Sequence, residues 1–301
     1  MTHAPSDSSG RAAIVRALWD EQSVWSQAAT RLKARIGRAR FTALVLGAAA
    51  ATLGTTASQV MALNQVLGSV LAFASAMAAG ATPLVAGRPG PAAVAQWTRM
   101  RSVSEAMKNE VFIFLAGAHP YRVADAEARL AARFARLRDD TSDLLAQTVG
   151  VHPVRREPPA VTDVESYIEH RLVRQIEDYY RPCAEHMGRR LALVRRLELC
   201  LGVAGVTFGA LAGALNWGWA AAWVAITTML TAALGAHAQA SKYEYQQIEF
   251  ARTTAQLQRL LAGWRHSSSP RDGTAEDEFV SDCEQVISVL NEAWMAKWNV
   301  D

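Results

Sequence analysis

Charge is what two long stretches of this chain lack. Asp, Glu, Lys and Arg make up 20% of its 301 residues, yet none occurs in the 47 residues from Phe41 to Gly87 or the 43 from Leu199 to Ser241. A water-facing helical bundle needs a polar stripe on each helix. These two blocks therefore argue against one, although the mean hydropathy of the whole chain is only +0.03. Cysteine is scarce as well: Cys183, Cys200 and Cys283 are an odd number without framework spacing, which excludes a disulfide scaffold. No period-two alternation marks a strand. No glycine-rich phosphate loop or nucleophile motif is visible, and Asp139-Asp140 and Glu276-Asp277-Glu278 read as solvated faces. Cys183 and His186, with His170 upstream, give one ligand pair where a closed zinc site wants four ligands. Catalysis, a cofactor and a metal are thus not expected. The apolar blocks also lack the intramembrane Asp, Glu, Lys or Arg on which a proton-coupled pump depends. Residues Met1 to Gly10 show no basic–apolar–small leader pattern.

What the blocks do contain is enough apolar length for two spans each. A helix crosses the bilayer core with about 20 apolar residues. Polar hinges divide the blocks at Met61-Ala-Leu-Asn-Gln65 and Asn216-Trp-Gly218, giving spans at about 41–60, 66–87, 199–215 and 219–238. The expected fold is an all-α membrane protein: two transmembrane hairpins, four spans, with cytoplasmic amphipathic helices. Arg31, Lys33, Arg35, Arg38 and Arg40 precede the first span; Arg189, Arg190, Arg195 and Arg196 precede the third; Lys242 and Arg252 follow the fourth. Both hinges are uncharged, so the positive-inside rule puts the two termini in the cytoplasm. Trp217, Trp219 and Trp223 suit the opposite interface. The net charge of +3 and pI near 8.9 arise from basic residues beside the spans, which points to anionic lipid head groups and not to nucleic acid.

The plan repeats. Residues 1–150 form a first unit, 151–162 a linker and 163–301 a second unit. Ile14, Leu18, Trp25, Ala28, Leu32 and Ile36 recur at helical spacing before the first span. After Pro91, the residues Trp97, Met100, Ser104, Met107, Val111 and Phe114 form a short heptad seam that Gly117 and Pro120 end. Pro153, Pro158 and Pro159 mark the linker, and Thr162-Asp-Val-Glu165 has the capping-box pattern. Val164, Ile168, Leu172, Ile176 and Tyr180 then make a ridge at steps of four, which Pro182 should kink or interrupt. Ser267 to Glu278 reads as an acidic loop before a last helix carrying Phe279, Cys283 and Val286. Each hairpin returns to its starting side, so the two repeats are parallel.

Two segments resemble a known family. Tyr167-Ile-Glu-His-Arg-Leu-Val-Arg-Gln-Ile-Glu-Asp-Tyr-Tyr180 resembles the lead-in helix of the SLATT family, the SMODS- and SLOG-associating two-transmembrane effector domains. Trp97-Thr-Arg-Met-Arg, Glu105-Ala-Met-Lys-Asn-Glu110 and His119-Pro-Tyr121 resemble the lead-out segment of a sister subfamily. The resemblance implies two tandem copies and a pore-forming or membrane-perturbing effector in bacterial conflict or antiphage systems. Within these segments Trp97, Met100, Met107, Glu110, Tyr121, Arg171, Gln175 and Tyr180 are the expected cytoplasmic coupling residues.

In the spans, Thr52, Thr55, Thr56 and Gln59 share a face, Ser75 and Thr82 lie seven apart, and Thr227, Thr228 and Thr231 cluster. Thr52, Thr55, Thr56, Gln59, Asn64, Gln65, Ser75, Thr227 and Thr231 are the pore-lining candidates; bonding back to their own helices is the plainer alternative. Gly68 and Gly80, like Gly205, Gly209 and Gly213, provide small faces for helix packing, within one hairpin or between subunits. The expected function is an oligomeric channel or pore gated from its cytoplasmic helices. Its partners would be the bilayer, permeating ions and further copies of the chain, as a dimer forming a four-hairpin ring or a higher oligomer. The alternative is a non-conducting scaffold that presents cytoplasmic helices to a partner protein.

Overall fold

The computed structural model describes residues 6–87, 90–267 and 272–299. They form helices α1 (Ser6–Val60), α2 (Gln65–Ala86), α3 (Pro91–Leu115), α4 (Ala126–Asp139), α5 (Val164–Tyr167), α6 (Arg181–Leu215), α7 (Gly218–Ser241), α8 (Tyr243–His266) and α9 (Gly273–Asn299). A 3₁₀ stretch, Ser142–Gln147, follows α4, and two π-helical stretches, Ile168–Val173 and Gln175–Tyr180, follow α5. No strand occurs among the described residues. The chain divides into two compact units: Met1–Ala34 with Pro91–Cys183 and Glu249–Asp301, and Arg35–Gly90 with Ala184–Ile248.

In the first unit α3 is the central element. Pro91 opens it, where a missing N–H costs nothing. The predicted seam of Trp97, Met100, Ser104, Met107, Val111 and Phe114 is buried throughout. A second stripe, Thr98, Glu105, Asn109 and Phe112, is buried beside it, so α3 is enclosed on more than one face. It packs on α9 and α4, and it meets α1 where Trp19 sets its ring edge against Phe112 and Gln22 donates to Ser104. Gly117, at φ +66°, turns the chain out of α3, and the Ala118 N–H closes back on the Ile113 carbonyl.

In the second unit α2 pairs with the later part of α1, and α6 with α7. Small residues set both contacts. Ser75 donates to the Ala50 carbonyl at 2.6 Å opposite Gly54, and Gly205 lies against the Thr227 hydroxyl. Asn64 caps α2 by accepting from the Leu67 N–H, so the hinge amide starts the returning helix. Large apolar side chains face outward here: Leu63 is 88% exposed, and Val66 and Val206 are each 75% exposed. Such a surface is costly in water and native to hydrocarbon. The 22 residues of α2 rise about 33 Å, enough for a core of about 30 Å. Among the described residues, four helices are long and apolar enough to cross. The protein is an all-α, multi-pass membrane protein.

Several local expectations shift. The cap before α5 is Asp163, not Thr162: its carboxylate accepts from the Ser166 N–H while the Asp163 N–H donates to the Ser166 hydroxyl. Pro182 does not interrupt the helix. The turns before it widen to π register, with the Arg181 N–H bonded to the Ile176 carbonyl, and α6 continues through the proline. The acidic loop is shorter than expected, because Asp272 accepts from the Ala275 N–H and α9 begins at Gly273. Residues 268–271 of that loop lie outside the described residues. On α9 the buried line is Val280, Cys283, Glu284 and Ile287, with Val286 half-buried.

Candidate functional site

The first unit holds an ionic cluster in its core. Step-of-four burial along Val164, Ile168, Leu172, Ile176 and Tyr180 turns one face of the π-helical segment inward. Arg171 goes in with it and is only 1% exposed. A guanidinium in such a place needs a carboxylate and a full set of acceptors. Glu284 of α9 supplies the first, taking Nε at 2.9 Å and Nη2 at 2.8 Å in a two-pronged pair. Asn109 of α3 accepts from Nη2 through its side-chain oxygen, and Gln175 accepts from Nη1 at 3.4 Å. The Tyr167 hydroxyl donates to Glu284 at 3.0 Å, and the Phe112 ring lies 4.7 Å from the guanidinium carbon. Three elements, α3, the π-helical segment and α9, thus converge on one charge.

A second pair adjoins it on α3. Arg101 meets Glu105 at 2.7 Å and also reaches the Tyr179 hydroxyl. Burial alone would raise the Glu105 carboxyl, but Arg101, Lys108 and Arg171 together outweigh it and hold the group down at about 2. Lys108 is half-buried. Its amine is lowered to about 8, chiefly by burial, with Glu105 opposing and Arg171 and Arg101 adding to the fall. Three cations therefore stand against two carboxylates.

Farther along, Glu110 accepts from the Tyr121 hydroxyl at 2.5 Å and from Arg133 Nε at 2.8 Å. Burial, reinforced by Glu110, pushes the Tyr121 hydroxyl well above its ordinary value. All eight residues expected to couple, Trp97, Met100, Met107, Glu110, Tyr121, Arg171, Gln175 and Tyr180, lie in this unit. Trp97, Met100 and Met107 line its core, and the Lys33 ammonium lies 5.3 Å from the Trp97 ring centre. Sequence reasoning passed over Glu284, the residue that completes the cluster. Its signal was the heptad step from Val280 to Ile287, into which a carboxylate falls at a core position.

The second unit separates the span residues. Thr52 donates to the Ala48 and Ala49 carbonyls, Thr56 to Thr52, Thr227 to Val224 and Thr231 to Thr227, each within its own helix. Ser75 reaches the neighbouring helix instead. Thr55 and Gln59 are half-buried, and Asn64 and Gln65 are exposed at the hinge. A Cβ on Gly68 would stand 2.7 Å from the Met61 Cα, and one on Gly205 2.9 Å from Thr227 Oγ1. Gly209 has only a 4.0 Å neighbour, and Gly80 and Gly213 have open space. No group of His, Cys, Asp and Glu able to hold a metal ion occurs among the described residues.

Residues 167–294 match the family model of the SMODS and SLOG-associating 2TM effector domain 1. The chain carries a SLATT domain. Its boundaries take in the π-helical segment, α6, α7, α8 and most of α9, so Arg171 and Glu284 belong to the same SLATT domain. Residues 23–129 match a second family, described only as a protein of unknown function (DUF4231). That match fits an N-terminal copy of the same plan, and it holds Glu105, Asn109, Glu110 and Tyr121. Neither the curated proteins nor the solved structures give a match.

Proposed function

We propose that this protein is an oligomeric channel or pore-forming effector of bacterial conflict or antiphage defence, opened from the helices of its first unit. The observation that carries the reading is the two-transmembrane effector domain, matched over a span pair together with the buried Arg171–Glu284 cluster. It lies in the bacterial cell membrane with both termini cytoplasmic, as the basic residues flanking the spans favour. A second copy completes the conducting ring, and permeating ions are what passes. Enzymatic activity, a cofactor and nucleic acid have no part in this reading. Opening is a shift between two packings of the first unit, passed on along α1 and α6, which continue into the spans. A trigger acts only by binding one packing better than the other.

Purified protein in liposomes tests this: release of an encapsulated dye or potassium, absent from empty liposomes, is the expected result. The inward-bonded threonines favour a second reading, a non-conducting scaffold whose cytoplasmic helices hold a partner protein. Liposomes that stay sealed with the wild-type protein, and with variants that break the Arg171–Glu284 pair, would decide for the scaffold.

A further inference from the structure

A basic cluster closes one end of the second unit, apart from the threonine faces and the packing glycines. Arg40 of α1 donates through Nη1 to the Ala240 carbonyl at 2.8 Å, at the end of α7. Three residues earlier on α7, His237 approaches the Tyr243 hydroxyl at 3.5 Å through Nε2. The Arg190 guanidinium of α6 lies 5.8 Å from the same Tyr243 ring. Between these groups stands Lys242 at φ +50°, a left-handed backbone that a glycine would adopt without strain. Four groups that are or can become cationic, drawn from α1, α6 and the α7–α8 junction, therefore meet at this end of α7, with His237 and Arg190 against the Tyr243 ring.

Their depth is specific. Arg40 precedes the first uncharged block and Lys242 follows the second, so the cluster sits at the level where hydrocarbon gives way to head groups. Arg190 is exposed while Arg40, His237, Lys242 and Tyr243 are half-buried, so the cluster is open on one side. Two carboxylates stand nearby: Glu244 is exposed and turns to Arg195 at 3.5 Å, and the half-buried Glu198 of α6 lies against Gly235 of α7, so the four basic groups outnumber them. A planar guanidinium pairs two N–H groups with two phosphate oxygens, a fit a lone ammonium lacks.

We infer that Arg40, Arg190, His237 and Lys242 form a binding site for the phosphodiester head group of an anionic phospholipid. The lipid's phosphate bridges α1 and α6, and its acyl chains run along the exposed apolar surface of the spans. The same chemistry would accept free inorganic phosphate, so the test must separate the two.

Full-length protein is purified in a neutral detergent and titrated with phosphatidylglycerol, phosphatidylcholine or inorganic phosphate. Native mass spectrometry reads bound lipid and thermal unfolding reads stabilisation. Phosphatidylglycerol should bind saturably and raise the melting temperature more than phosphatidylcholine. Arg190→Gln, an exposed position that folding tolerates, should weaken phosphatidylglycerol binding about tenfold, the worth of a charge-assisted contact. Arg38→Gln removes the same charge from an exposed position on α1, two residues from Arg40, and should change binding less than about twofold. Equal losses from both variants would reduce the site to diffuse surface attraction and overturn it. Stabilisation by millimolar inorganic phosphate matching that of phosphatidylglycerol would overturn the lipid assignment.

Discussion

At the scale of the residue, Arg171 and Glu284 set the terms. Their pair is buried, two-pronged and completed by Asn109, Gln175 and Tyr167. Removing one partner strands the other charge in the core. Glu284→Ala should cost about 3–5 kcal/mol, read as a fall in melting temperature in detergent. The double variant Arg171→Met with Glu284→Leu should recover much of that loss, because no charge is then left alone. Lys108 makes a separate prediction with a pH signature. Its amine sits at about 8 in the folded protein against 10.5 in an exposed chain. The unfolded state therefore binds more protons between those values, and stability contributed at this position rises as pH climbs from 8 to 10.5. Lys108→Met should raise stability at pH 7 and flatten that rise. An unchanged pH profile in the variant would remove Lys108 as its source. Glu105 gives a slope of the same sign in a lower window: its contribution is complete above 4.5 and disappears as pH falls toward 2.

At the scale of the element, the close-packed glycines divide by what a Cβ would meet. Gly68→Ala would drive a methyl group onto the Met61 backbone and should destabilise by about 1–3 kcal/mol. Gly213→Ala meets nothing inside the protein and gains helix propensity, so it should be neutral or stabilising by up to about 1 kcal/mol. Thermal unfolding of both variants in detergent checks the contrast. The same elements show what the sequence could and could not disclose. The spans were legible because a bilayer imposes one requirement, uncharged length, that a string of residues displays directly. The α3 seam was legible from its steps of three and four, but its second buried stripe was not, since Glu105 and Asn109 look like solvent-facing residues until Arg101 and Arg171 meet them. The π-helical register had left a trace. An unbroken step of four from Val164 to Tyr180 drifts by about 160° around an ordinary α-helix, so these residues stay on one buried face only because the turns are wider. The cap was misplaced by one residue, because Asp163 and Thr162 are equally good oxygen acceptors and only backbone geometry chooses between them.

At the scale of the molecule, two units draw on interleaved parts of the chain: one whose apolar side chains are enclosed, and one that displays them. On the proposed orientation both hinges face away from the cytoplasm. After replacement of the three native cysteines by serine, Leu63→Cys should react with a membrane-impermeant maleimide added to intact spheroplasts. Val149→Cys, itself 80% exposed, should react only after the membrane is opened. The reverse pattern would invert the topology. The interleaving also bears on biogenesis. Glu284 follows all four spans in the chain, so Arg171 is translated well before its counter-charge exists. Until translation passes α9, the nascent chain carries an unneutralised guanidinium in a half-built core. A polypeptide cut short there would be anchored but unfinished, a ready substrate for quality-control proteases.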